Sequence, residues 1–150
     1  MRRRQTMPRQ WLIVADDAED VIAAAKRLPR DGGVLLLEPI PASAMLRLRM
    51  LARQRDLTII VEQRQSAARV HNSRELRQAL LARPELVLLS PIHSTGAHPG
   101  WQPMPRMRAA ALARLAARKA VALGGMNARR HAKIAPLGFI GWAGISAFRT

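Results

Sequence analysis

The feature that most constrains the fold is the alternation of short apolar runs with longer Ala-, Arg- and Leu-rich segments of helical period. The apolar runs are rich in Val, Ile and Leu, which is typical of buried strands. Strands are predicted at 11–15, 34–38, 57–62, 86–89, 120–123 and 139–143. Strands that alternate with helices indicate parallel βα units, so the sequence predicts an α/β fold of about six such units.

Capping signals mark where two of the helices begin. Asp16 and Asp17 follow the first strand and can cap the next helix, where a negative charge is favourable. Asn72 is followed by Glu75 in capping-box spacing, which predicts a helix from there to about Arg83. The stretch 63–71 has no clear periodicity, and no element is predicted in it.

Charge is distributed unevenly along the chain. The sequence has 25 Lys and Arg against 10 Asp and Glu, and no acidic residue follows Glu85. Such a cationic half favours anionic ligands such as phosphates, and it cannot build a carboxylate metal site from its own residues. Only 3% of residues are aromatic and no recognition-helix or zinc spacing occurs, so a nucleic-acid partner is not favoured despite the net charge of +15.

Composition also bears on the compartment and on domain organisation. The chain has no cysteine, and its apolar runs are far shorter than the ~20 residues that span a bilayer. These observations predict a cytoplasmic protein that does not enter the membrane. A chain of 150 residues suits one packed domain, which is predicted at 11–150 after a basic tail at 1–10.

Three segments carry a family resemblance: SPIHSTGAHPG at 90–100, ALGGMN at 122–127 and GFIGWAGISAF at 138–148. In order and spacing they resemble the successive βα-loop motifs of the thiamine-phosphate synthase and TenI family. WLIVADD at 11–17 and VHNSREL at 70–76 are similar to that family's first strand and to its His-containing segment. The resemblance implies a TIM-barrel-like (β/α) fold whose carboxyl end joins thiazole phosphate to a pyrimidine diphosphate, releasing diphosphate.

The resemblance also implies roles for individual residues. Thr95 matches a loop threonine that contacts substrate phosphate. His98 stands where many members have a lysine that supports the leaving diphosphate, and a neutral imidazole would do this less well. The implied cradle for the thiazole phosphate consists of Gly124, Gly125, Ile145 and Ser146.

His71 matches a histidine that TenI-type members use to tautomerise a thiazole, a proton transfer suited to an imidazole. A histidine that only caps or packs is the alternative interpretation. From the residues alone, both interpretations stay open.

The front half of the chain departs from the family pattern. Leu36-Leu37-Glu38 replaces an Arg-x-Lys motif, and Arg64 is retained from an Asn-Asp-Arg motif. The segment that carries the family's magnesium-binding Asp is missing between about Gln63 and Ser66. The sequence therefore predicts a truncated barrel that is distorted, open or covered by a partner such as a second copy, with Glu38 and Glu62 as the remaining candidates to bind Mg²⁺.

Three functions remain in competition at this point. One is a thiamine-phosphate synthase-like enzyme in which Arg64 and His98 act on the leaving diphosphate. Another is a TenI-like tautomerase with His71 as acid and base, which needs no metal. The last is a catalytically degenerate barrel that binds a phosphate and regulates.

Overall fold

A computed structural model of the chain describes residues 6–15, 21–63, 65–94, 99–145 and 148. They form one sheet of seven parallel strands, in the spatial order β3-β2-β1-β7-β6-β5-β4. The strands are β1 Gln10–Val14, β2 Gly33–Leu36, β3 Thr58–Val61, β4 Ala67–Val70, β5 Leu86–Leu89, β6 Ala120–Leu123 and β7 Gly141–Gly144. The sheet curls into a half-barrel, which confirms a truncated TIM-barrel-like α/β fold.

Helices cover the convex face of this sheet. They are α1 Val21–Lys26, α2 Ala42–Arg55, α3 Ser73–Leu80, α4 Arg106–Leu115 and α5 Ala128–Ile134, followed by a 3₁₀ turn at Ala135–Leu137. Side chains alternate along each strand, so one set packs outward under the helices and the other fills the concave side. The sheet is therefore buried on both faces, as parallel sheets usually are.

Trp11 dominates the concave core. Its side chain is fully buried, and its indole N–H donates to the carbonyl oxygen of Pro8 at 2.9 Å. Gly33, the residue beside it on β2, leaves the space that the indole occupies. The large side chain on β1 thus fills the space that glycine leaves on β2, on the concave side near the start of both strands.

The sequence predicts about six strands, and the structure has seven. The additional strand is β4, which lies in the stretch 63–71 where no element is predicted. Its residues Ala67, Ala68 and Arg69 are poor strand formers, and only Val70 favours a strand. Pairing with β5, from Ala67 beside Leu86 to Val70 beside Leu89, holds these residues in a strand against their local preference.

The predicted deletion lies between β3 and β4. Five residues, 62–66, connect these strands without a helix, whereas a helix follows each of the other strands from β1 to β6. Ser66 Oγ donates to the carbonyl oxygen of Val61 at 2.5 Å, so β4 starts beside the end of β3. The two strands form the edges of the sheet and do not pair in the described ladder. The half-barrel is therefore open at this seam.

The described helices include none that is long and apolar enough to cross a membrane.

Candidate functional site

The carboxyl ends of the parallel strands meet at one end of the half-barrel, where βα folds place their ligands. The loops after β5 and β6 lie side by side there. The N–H of Ile92 donates to the carbonyl oxygen of Leu123 at 3.0 Å, and that of His93 to Gly124 at 3.1 Å. β7 continues the row, since Leu123 pairs with Ala143 one strand away. The structure thus brings together three segments that carry the family resemblance.

The turn Gly124–Gly125 has a backbone that only glycine adopts easily. Its φ values are 107° and 57°, both in the left-handed region. A Cβ on Gly125 would lie 2.7 Å from the backbone oxygen of Ser94, closer than real side chains come. The two glycines therefore let the β6 loop pack closely against the β5 loop.

A cluster of His93 with the cations Arg130 and Lys133 lies beside this turn. The Arg130 guanidinium donates to the carbonyl oxygen of Gly125, and the Arg130 N–H donates to the Asn127 side chain at 2.9 Å. Burial lowers the pKa of His93 below its ordinary value, and the charges of Arg130 and Lys133 lower it further. The positive charges of Arg130 and Lys133 favour an anion near this turn. These three residues were not predicted from the sequence, although basic residues near a Gly-Gly turn are a signal that could have identified them.

The pKa of His93 provides a direct test of this cluster. Inorganic phosphate bound at the turn should offset the repulsion from Arg130 and Lys133, so the pKa of His93 should rise when phosphate is added. Arg130→Ala should raise it without phosphate, yet not to the ordinary value, because burial is the larger cause. Both pKa values can be read from the NMR titration of the His93 ring protons.

Arg129→Ala is the matched control for that titration. It removes the same charge from an exposed neighbour on α5, and it should leave the pKa of His93 close to that of the unmodified protein. Equal shifts from the two variants would show that Arg130 has no special position beside His93. An unchanged pKa in saturating phosphate would mean that phosphate binds elsewhere.

His71 lies at the end of β4 and is held by α3. Its ring Nδ1 is 3.0 Å from Glu75 Oε2, and the same oxygen accepts the His71 backbone N–H at 2.8 Å. Asn72 caps α3 by accepting the Glu75 N–H at 2.8 Å, which confirms the predicted N-cap, while the Glu75 carboxylate binds the N–H of His71 rather than that of Asn72. The backbone bond from His71 is the main cause that lowers the pKa of Glu75, so the carboxylate stays charged beside the imidazole. The rings of His71 and Trp101 pack edge to face, with their centroids 5.6 Å apart.

This arrangement suits proton transfer. A carboxylate on Nδ1 fixes the ring orientation, which leaves Nε2 as the nitrogen that can exchange a proton with a ligand. The packing interpretation and the acid-base interpretation of His71 are compatible here, because the Glu75 carboxylate holds the His71 backbone N–H and also orients the ring.

The carboxylates predicted to bind magnesium occupy the ends of β2 and β3. Glu62 is bound to Arg69, with 2.9 Å from Arg69 Nε to Oε1 and 3.3 Å from Nη2 to Oε2. Glu38 lies exposed at the end of the neighbouring strand. The described residues include no group of three His, Asp or Glu that could hold a metal ion. Because the Arg69 guanidinium already neutralises Glu62, the ends of β2 and β3 do not fit Mg²⁺.

The remaining predicted site residues divide into two groups. Ile145 follows β7 at the same end of the half-barrel and packs against the concave core. Arg64, Thr95, His98 and Ser146 lie outside the described residues. Asp16 and Asp17, predicted to cap the first helix, also lie outside them.

Comparison with solved structures gives the fold a family context. A thiamine phosphate pyrophosphorylase from Pyrococcus furiosus superposes with a TM-score of 0.73 at 15% identity, covering 95% of this chain and 88% of that one. A thiamine phosphate pyrophosphorylase from Bacteroides thetaiotaomicron has a TM-score of 0.59 at 16% identity, covering 94% and 84%. No protein-family model and no curated protein matches the sequence. The resemblance noted in the sequence is therefore confirmed at the level of the fold.

Proposed function

We propose that this chain, which has the fold of thiamine phosphate pyrophosphorylases, is a thiamine-phosphate synthase-like protein. It binds the phosphate of a thiazole phosphate at the Gly124–Gly125 turn and joins the thiazole to a pyrimidine diphosphate. The observation that carries the proposal is the cluster of His93 with the cations Arg130 and Lys133 at a glycine turn, at the carboxyl end of the strands.

The proposed reaction exchanges one bond for another. The bond between the pyrimidine methylene carbon and the diphosphate oxygen breaks, and the thiazole nitrogen forms a bond to that carbon. The chain contributes by holding the thiazole phosphate so that its nitrogen faces the reacting carbon, which removes much of the entropic cost. Following the resemblance, Arg64 and His98 draw off the diphosphate as charge develops on it.

Calorimetric titration tests the two halves of this site separately. We expect heat of binding for thiazole phosphate alone and for the pyrimidine diphosphate, the latter measured with and without Mg²⁺. Formation of thiamine phosphate from both substrates would support the full proposal. Binding of thiazole phosphate without turnover would contradict the synthase reaction and leave phosphate binding, whereas binding of neither would refute both.

A second candidate function is tautomerisation of a thiazole phosphate with His71 as acid and base. The pair His71 and Glu75 favours it, because an oriented imidazole with a carboxylate on Nδ1 can take a proton from one ring position and return it to another. This reaction has no leaving diphosphate, so it makes no demand on Glu38 or Glu62. It would use the same phosphate site.

Substitution of His71 tests this second candidate. His71→Gln should lower the isomerisation rate by about 10²–10⁴-fold, the usual contribution of a general acid-base group. Glu75→Gln should lower the rate less, because the ring loses the carboxylate that fixes its orientation. The rate is measured by NMR of the thiazole ring protons in deuterated buffer. His131→Gln, on α5, is the matched control, and an unchanged rate in His71→Gln would eliminate this function.

A further inference from the structure

The convex face of the sheet is left uncovered at its open seam. Along the inner strands the outward-facing apolar side chains are at most 4% exposed, as for Val34, Leu36 and Trp142. On the edge strands, by contrast, Ile59 and Val61 of β3 and Ala68 of β4 are only partly buried. They remain partly exposed because the connection 62–66 supplies no helix to cover them.

A groove follows the free edge of β4. Its volume is about 580 Å³, and it is lined by Ala68, Arg74, Glu75, Gln78, Ala79, Leu81 and Ala82. Four of these residues, Arg74, Glu75, Gln78 and Ala79, belong to α3, whose buried residue Leu76 does not line the groove. Leu81 is 78% exposed, which is unusual for a large apolar side chain beside a groove.

We propose that this groove, with the uncovered faces of β3 and β4, binds an amphipathic α-helix of an acidic partner protein. A helix is the element that fits, because helices cover the corresponding positions on the inner strands. Its apolar face would cover Ala68 and Leu81. This helix-in-groove mode of recognition uses one apolar stripe and leaves the opposite side of the helix to polar contacts.

The charge of the flanking helices determines the character of the partner. α2 has no acidic residue and exposes Arg47, Arg49 and Arg53, while α3 exposes Arg74 and Arg77. Glu75, the acidic residue on α3, is already bound to His71. An acidic polar face would thus meet Arg74, which lines the groove. A second copy of the chain would bring another +15 of charge, and the resulting repulsion opposes it as the occupant.

A synthetic helix provides the test. The probe is a fluorescein-labelled amphipathic peptide of about 18 residues, five helical turns, with leucines on one face and glutamates on the other. Fluorescence anisotropy measures its binding to the full chain. Leu81→Ser should weaken binding about tenfold, because one buried leucine contact is lost. Met107→Ser, which removes an equally exposed apolar side chain from α4, should change it less than about twofold.

Charge reversal separates the groove from general attraction between opposite charges. Arg74→Glu at the groove and Arg114→Glu on α4 change the net charge equally, and only the first should weaken binding strongly. Equal losses from the two, or equal losses from Leu81→Ser and Met107→Ser, would overturn the proposal. It would also be overturned if sedimentation showed a dimer of the unmodified chain that Leu81→Ser dissociates, because the groove would then bind a second copy. Circular dichroism confirms that each variant is folded.

Discussion

Gly125→Ala should weaken the binding of thiazole phosphate at least tenfold. Alanine at a φ of 57° costs roughly 1–2 kcal/mol, since its Cβ crowds the following carbonyl. The same Cβ would lie 2.7 Å from the backbone oxygen of Ser94, which cannot move without shifting the β5 loop. Both effects displace the turn that presents the phosphate site. A loss of ~1.4 kcal/mol in binding free energy corresponds to that tenfold change.

Calorimetry of the variant measures this loss, and Gly100→Ala is its control. Gly100 has no positive φ, and a Cβ there would meet nothing within 4 Å, so the control should bind like the unmodified protein. Thermal unfolding of both variants shows whether any loss of binding is local. Full affinity in Gly125→Ala would place the phosphate away from this turn.

Gly33→Ala should lower the free energy of unfolding by about 3 kcal/mol, near the upper end for overpacking a core. The added Cβ would lie under 3.0 Å from three atoms of the Trp11 ring. The indole is completely buried and bonded to Pro8, so it cannot turn away without losing both its packing and that hydrogen bond. Since domains of this size have only ~5–15 kcal/mol of stability, the effect is large.

Denaturant unfolding of Gly33→Ala, Trp11→Leu and the double variant isolates the steric cause. Trp11→Leu alone should destabilise, because it leaves a cavity. In its background, however, Gly33→Ala should cost much less, since the ring atoms that the Cβ meets are gone. Additive losses in the double variant would mean that Gly33 is needed for a reason other than the Trp11 indole.

The repeating βα pattern could be predicted from the sequence because local composition and tertiary context agree in most strands. The residues 86–89 and 120–123 are strands with the predicted limits. β4 could not be predicted, because Ala67-Ala68-Arg69 has no local preference for a strand and is held by pairing with β5. A loss between about Gln63 and Ser66 was predicted from the family resemblance, which implies a further strand and βα unit there; in the structure a strand, β4, is present, and the connection before it is short.

The candidate site was predictable where backbone conformation determines residue type. Gly124 and Gly125 were recognisable because their turn needs glycine. The pairing of Glu62 with Arg69 was not, because it joins the two edge strands across the seam and nothing in the local sequence marks it. The same holds for His93 beside Arg130, whose proximity depends on how two loops pack.

The pairing of β1 with β7 has a consequence for biosynthesis. β1 lies between β2 and β7. One edge of β1 therefore stays unpaired until residues 141–144 have been synthesised, more than a hundred positions later in the chain. During translation β1, β2 and β3 can pair early. The side chain of Trp11, however, packs in the concave core, which β7 helps to complete. We therefore expect the nascent half-barrel to stay incomplete, and exposed to chaperones, until residues 141–144 have left the ribosome.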